Sequence, residues 1–378
     1  MKRLPAASDP ENLHSYCRLF SCVLTLLSFF VLIGACSESS TEPNTDSEPS
    51  ELNLIALFAA PTEAEISAVM DNWASRDISA SGIEVADSSD TPLIAGGAKI
   101  RVVSHLVGDA RHFGAIISPV GADSASLPIL VYTHGGDDGV DVDELFQVTA
   151  GLDSLANKFV FVVPSFRAEE LRFQGSTFVS TGEASPWDLD VDDALSLINV
   201  TLELEPAADS TRVGVLGFSR GGGVGLLMAV RDPRIDQVIE FFGPTDFFDD
   251  YVQNVVKEAL AGQLRDLPGL LTLSEKFLQP FKDGVLSISE VRPELIRRSS
   301  VLFVSSLPDV QIHHGTADSV VYVSQAESLI DALSGIGREA PGFESYLYTG
   351  GTHDPLTLFG SIERAREFAA RLVTPVSR

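Results

Sequence analysis

The chain has 378 residues, 44% of them hydrophobic, enough for one large core or two modest ones. Asp and Glu number 53 against 26 Lys and Arg, and the net charge of −27 argues against nucleic acid or an anionic membrane surface as partner. The same excess implies a soluble, heavily hydrated surface.

The N-terminus reads as a targeting segment, separate from the fold. Lys2, Arg3 and Arg18 carry positive charge, and Leu19 to Ile33 is an apolar run broken by Ser21, Thr25 and Ser28. It ends in Leu32-Ile33-Gly34-Ala35-Cys36, which resembles the lipobox of bacterial lipoprotein signal peptides. The resemblance implies removal of residues 1–35, lipid on Cys36, and a protein anchored at the bacterial cell envelope, in the periplasm or on the outer surface. An uncleaved membrane anchor is the alternative. Residues 36–60, polar and aperiodic through Ser50, read as a disordered tether. Cys17 and Cys22 fall in the removed segment and Cys36 takes the lipid. The mature chain is therefore expected to have no disulfide and no cysteine-based metal site.

Residues 61–98 read as a helix and a lead-in. Thr62 and Glu65 form a capping box, and Ile66, Val69, Met70 and Trp73 follow at helical spacing, an apolar face expected to pack on the main domain. From about Ala98, strands and helices alternate through residues 99–378. Lys99–Val107 and Phe113–Val120 read as an antiparallel pair. Leu127–His134, Phe159–Pro164, Ile235–Phe242, Val310–His314 and Glu344–Thr349 read as further strands. Helical spacing marks Glu144–Lys158, Asp190–Leu204, Ser324–Gly335 and Ser361–Val373. Several strands are continuous apolar runs, so both faces should be covered by helices. The expected class is α/β, a doubly wound, mostly parallel sheet. Residues 246–299 break this beat with amphipathic helical sequence and are read as an inserted cap.

Arg212–Val224 (RVGVLGFSRGGGV) carries the chemistry. An apolar strand runs into Gly217-Phe218-Ser219-Arg220-Gly221, and a helix opens after it. A G-x-S-x-G pentapeptide between strand and helix is a nucleophile elbow, and glycine at both flanks lets the chain turn tightly. A serine hydroxyl needs a base to take its proton, and the base needs a carboxylate to hold its tautomer. Of the 7 histidines, His353, in Gly350-Gly351-Thr352-His353, lies after the serine on a loop leaving a strand. His14 is in the signal segment, His105 and His112 sit near the first hairpin, and His134, His313 and His314 read as structural strand-end residues. Asp318, in His314-Gly315-Thr316-Ala317-Asp318, is the expected acid. Asp246 is its rival, with a helix N-cap as its alternative role. The order Ser219, Asp318, His353 is that of α/β-hydrolases. The oxyanion donors are expected from the backbone N–H of Arg220 and from the loop His134-Gly135-Gly136-Asp137, with Gly136 chosen and Gly135 or Asp137 possible.

These motifs together resemble the catalytic domain of the prolyl oligopeptidase family, with dienelactone-hydrolase-like enzymes as relatives, from about Lys99 onward. Pro164-Ser165-Phe166-Arg167 resembles that family's segment after the next strand. The resemblance implies a serine peptidase or esterase that cleaves small peptide or ester substrates through an acyl-enzyme, without cofactor. The family's peptidases commonly carry an N-terminal β-propeller, and Cys36–Ala98 is too short for one. Arg220, in place of an aromatic residue, is expected to bring a cation to the site. A non-catalytic surface lipoprotein that binds a ligand on the same fold is the reading of a different class. Asp188, Asp190 and Asp192 imitate the start of a calcium loop, but Asp193 and Asn199 occupy the positions of its glycine and bidentate glutamate. They read as a solvated helix start, and the acidic run Asp137–Glu144 as a solvated loop leading into a helix, with repulsion of anionic substrates beside the oxyanion loop as its alternative role.

Overall fold

The apolar runs become the middle of a nine-stranded sheet in the order β1-β2-β3-β6-β4-β9-β10-β11-β12. The computed structural model describes residues 51–92, 94 and 96–374, so the expected signal segment, Cys36 and the expected tether up to residue 50 lie outside the described residues. Two helices lead, α1 (Glu51–Leu57) and α2 (Glu63–Ala74). Then come β1 (Ser81–Thr91), β2 (Ala98–Val107), β3 (Ala110–Pro119) and β4 (Leu127–Thr133). β5 (Val140–Asp141), α3 (Leu145–Leu152) and β6 (Val160–Pro164) follow, then β7 (Glu170–Phe173) and β8 (Ser176–Val179). The chain continues with α4 (Leu189–Leu204), β9 (Ala208–Phe218), α5 (Arg220–Arg231) and β10 (Ile235–Phe241). β1, β2, β3 and β6 pair antiparallel in that order, β6, β4, β9, β10, β11 and β12 pair parallel, and β5, β7 and β8 form a separate small sheet.

Alternation along the central strands fills two cores. Val160 and Val162 of β6, with Ile129 and Val131 of β4, face α4 and α5. Phe161 and Val163, with Leu130, face the α3 side. Every residue of β6 is buried, as a continuous apolar run requires when helices lie on both faces.

After β10 the chain leaves the sheet for the expected cap: α6 (Asp250–Leu260), α7 (Leu270–Leu273), a π-helical turn (Ser274–Leu278), α8 (Gln279–Lys282) and α9 (Ile288–Ile296). It returns through a 3₁₀ segment (Ser300–Ser306) to β11 (Asp309–Gly315), α10 (Ser324–Gly335), β12 (Phe343–Tyr348) and α11 (Ser361–Val373).

The N-terminal reading needs three corrections. The tether does not extend to residue 60, because Glu51–Leu57 is helical and Leu57 is fully buried. The capping box forms, with Thr62 N–H on Glu65 at 2.8 Å, but Met70 is 44% exposed and only Val69 and Trp73 of the expected face are buried. The lead-in is a long strand, β1, on the sheet edge. Arg292 of α9 ties this region down: its guanidinium donates to the carbonyls of Ala56, Leu57 and Ala59 and pairs with Glu65 at 2.6 Å.

Candidate active site

Ser219 sits between β9 and α5 with φ +54° and ψ −124°, a left-handed conformation costing a non-glycine residue about 1–3 kcal/mol. Its neighbours must be glycine. A Cβ on Gly217 would lie 2.3 Å from Gly221 O, and one on Gly221 would lie 2.1 Å from Thr133 O. The turn is anchored by Ser219 N–H on Phe241 O at 2.9 Å.

His353 Nε2 stands 2.9 Å from Ser219 Oγ, and its Nδ1 stands 2.7 Å from Asp318 Oδ2. Nδ1–H therefore donates to the carboxylate, and Nε2 is left to accept the serine proton. Asp318 is held in turn: its Oδ1 accepts the N–H groups of Val320 and Val321 at 2.8 and 3.0 Å. The acid and base loops are joined, since Ala317 N–H donates to Gly351 O at 2.8 Å and Thr316 N–H to Tyr348 O at 2.9 Å. The His353 ring packs on Phe242, centroids 4.3 Å apart. Beneath the site a row of rings crosses the sheet: Phe218, Phe241, His313 and Tyr346 stack at 4.7, 4.5 and 5.4 Å, one from each of β9 to β12.

Arg220 opens α5, so its N–H has no acceptor inside the helix and the positive end of the helix dipole lies at the serine. The glycine loop after β4 comes against the elbow: a Cβ on Gly135 would lie 3.1 Å from both Phe218 O and Ser219 Cβ. His134 Nδ1–H donates to Gly135 O at 3.0 Å. In a trans peptide the N–H opposes the carbonyl, so this bond aims the Gly136 N–H away from the His134 ring. Gly136 itself has φ +74°.

No family model matches this sequence, and no curated protein does. Solved structures do. An acetyl xylan esterase from a Thermoanaerobacterium species superposes with TM-score 0.54 and 19% identity, over 82% of this chain and 93% of that one. An acetyl xylan esterase from a Paenibacillus species gives 0.56 and 17%, over 83% and 98%. An acylaminoacyl peptidase from Pyrococcus horikoshii gives 0.48 and 16%, over 73% and 41%. This is the α/β-hydrolase fold.

Two expectations fail within this α/β-hydrolase fold, and both failures concern charge. The Arg220 side chain brings no free cation to the site. It is 2% exposed, donates to Asp190 Oδ2 at 3.0 and 2.8 Å and to Glu169 at 2.5 Å, and lies 4.9 Å over the Phe166 ring. Burial alone would lower its affinity for a proton, but Asp190, Glu169 and Asp137 together raise it. Nor is the start of α4 solvated. Asp188, Asp190, Asp192 and Asp193 are all buried, each against an arginine: Arg76 on Asp188 and Asp192, Arg220 on Asp190, Arg167 on Asp193 at 3.1 Å. Arg231 and Arg297 add to the pairing. Among the described residues no group of three or more His, Cys, Asp or Glu is placed to hold a metal ion.

Asp246 lies apart from the triad, its carboxylate accepting Phe248 N–H at 2.8 Å, and the N-cap of the first cap helix is Asp249. His313 bonds Tyr348 and Gln311, and burial pushes it down to about 3. His314 Nε2 bonds Val321 O at 2.9 Å. His105 and His112 face each other across β2 and β3, 5.8 Å apart, and His112 lies 3.1 Å from Asp193. Glu169 and Glu240 carry no sequence motif. Burial raises Glu169 to about 7 despite Arg220, and raises Glu240, beside the elbow, to about 8. Under the cap lies an apolar cavity of ≈ 80 Å³, walled by Trp187, Phe247, Val255, Leu270 and Leu295 among others, with no triad side chain in its lining.

Proposed function

We propose that the protein is a serine hydrolase that cleaves carboxylic esters through an acyl-enzyme. The observation that carries this is the continuous hydrogen-bond chain Ser219–His353–Asp318 at 2.9 and 2.7 Å. His353 takes the Ser219 proton as Oγ attacks the carbonyl carbon, and the oxyanion is met by the N–H groups of Arg220 and the Gly136 loop. His353 then returns the proton to the leaving oxygen. Water repeats the sequence on the acyl-enzyme, releasing the acid and restoring the serine.

Ester rather than peptide substrates are supported by the size and coverage of the two acetyl xylan esterases, which share nearly their whole length with this chain. A prolyl-oligopeptidase-like peptidase is the second reading, favoured by the sequence motifs. Turnover of short acyl esters against aminoacyl-anilides separates them, with Ser219→Ala as control. Faster turnover of the anilides overturns the ester reading, and absence of fluorophosphonate labelling at Ser219 overturns both in favour of a binding protein.

We also propose that Cys36 carries the lipid that holds the enzyme at the cell envelope, on the support of Leu32–Cys36. Metabolic labelling with palmitate tests this: the label should be lost in Cys36→Ser.

A further inference from the structure

The loop that supplies the second oxyanion donor is gripped from two sides. Arg220 Nη1 donates to Gly136 O at 3.2 Å and to Asp137 Oδ1 at 2.7 Å. Because Gly136 C=O and Asp137 N–H share one peptide plane, this grip fixes the Asp137 N–H, the alternative donor of the loop, while the His134 bond to Gly135 O fixes the Gly136 N–H. Arg220 is itself immobile, buried between Asp190 and Glu169. From the cap, the N–H of Gly269 donates to both carboxylate oxygens of Asp137, at 2.9 and 2.7 Å. Gly269 is the residue before α7, has φ +75°, and is pressed so closely on Trp187 that a Cβ there would lie 2.7 Å from its ring.

We propose that the Asp137 carboxylate is a positioning residue that couples seating of the cap to the shape of the oxyanion loop, through Arg220 on one side and Gly269 on the other. This rests on the serine-hydrolase reading above. One carboxylate serves both partners, so the seat of Gly269 is felt by the Asp137 carboxylate and, through Arg220, by the Gly136–Asp137 peptide. The direction of the loop's N–H groups is then set jointly by Arg220 and by the cap. The acidic loop read as merely solvated thus contains the link between cap and catalytic floor.

The test uses Asp137→Ala and Asp137→Asn in the otherwise intact protein. Asp137 is 47% exposed, so its replacement leaves the core untouched. The readouts are kcat and KM on p-nitrophenyl acetate and inhibition by an alkyl boronic acid, which forms a tetrahedral adduct on Ser219. In Asp137→Ala, kcat should fall about 10- to 100-fold with KM within about threefold, and boronate affinity should fall by a similar factor. Asp137→Asn keeps an oxygen for Gly269 and should recover most of the loss. Wild-type kcat and boronate affinity in Asp137→Ala overturn the proposal, as does a loss confined to thermal stability. Should Asp137→Ala not fold, Asp137→Ser is read by the same criteria, because a serine hydroxyl is too short to bridge Arg220 and Gly269. If the wild-type protein takes no fluorophosphonate label, it is the hydrolase reading that fails, not the coupling.

Discussion

Ser219 Oγ and His353 Nε2 are 2.9 Å apart, although 134 residues separate them along the chain. The sheet makes this possible, because the strands carrying them, β9 and β12, are held in register by β10 and β11 between them.

Asp318→Asn keeps the bonds from Val320 and Val321 N–H but no longer holds the His353 tautomer. Turnover should fall about 10³–10⁴-fold with the melting temperature little changed. Ester hydrolysis and differential scanning fluorimetry check this, and a small loss would assign the orienting role to another carboxylate.

Gly135→Ala places a methyl 3.1 Å from Ser219 Cβ and from Phe218 O. The loop must retreat by a few tenths of an ångström from the nucleophile, and the oxyanion donors go with it. We expect kcat to drop about 10²-fold, as misplacement of a catalytic group does, with folding retained. Steady-state kinetics beside circular dichroism decide it.

Stability should decline with alkaline pH. Glu240 is fully buried, one oxygen accepting Gly243 N–H at 2.8 Å and the other without a hydrogen bond, and burial raises it from 4.5 to about 8. The folded protein therefore keeps a proton that the unfolded chain loses above pH 4.5. The resulting stability is full below that value and is lost as pH rises toward 8, by an amount on the order of a few kcal/mol. Glu169, raised to about 7, acts in the same direction. The buried histidines act oppositely: His112 and His134, lowered from 6.5 to about 3, withdraw stability as pH falls below 6.5. Glu240→Gln should flatten the alkaline limb, measured as urea-unfolding free energy at pH 6 and pH 9.

Arg292→Ala removes the donor to three carbonyls that end α1 and the ion pair with Glu65, which Arg292 lowers to about 2. Glu65 is partly solvated, which discounts the pair, so the expected cost is about 2 kcal/mol. The melting temperature should fall with kcat unchanged. A variant as stable as wild type would mean that α1 and α2 are held by apolar contacts alone.

What was legible in the sequence was whatever the sheet dictates. Leu127–His134 and Phe159–Pro164 stand out as buried strands because both faces of the sheet are covered. Ser219 announces itself because only glycine fits at 217 and 221. Asp318 and His353 follow from chain order and from the glycines that bring their loops together. Elements defined by non-local pairing were not legible. β1 reads SGIEVADSSDT, polar and mostly exposed, and exists because β2 offers it an edge. β5, β7 and β8 are too short to show a period. The aspartates of α4 look like solvent-facing charge, and nothing local reveals that Arg76, Arg167 and, from the two ends of α5, Arg220 and Arg231 arrive to bury them.

The row of rings from Phe218 to Tyr346 has a consequence for how the enzyme fails. It braces sideways the block of four strands, β9 to β12, from whose ends Ser219, Asp318 and His353 project. Distortion of any one strand should be passed to its neighbours, and this half of the molecule is expected to melt as a plate rather than piecemeal. Heat inactivation and the loss of tertiary structure should then trace a single curve, with no temperature at which a folded yet inert form accumulates.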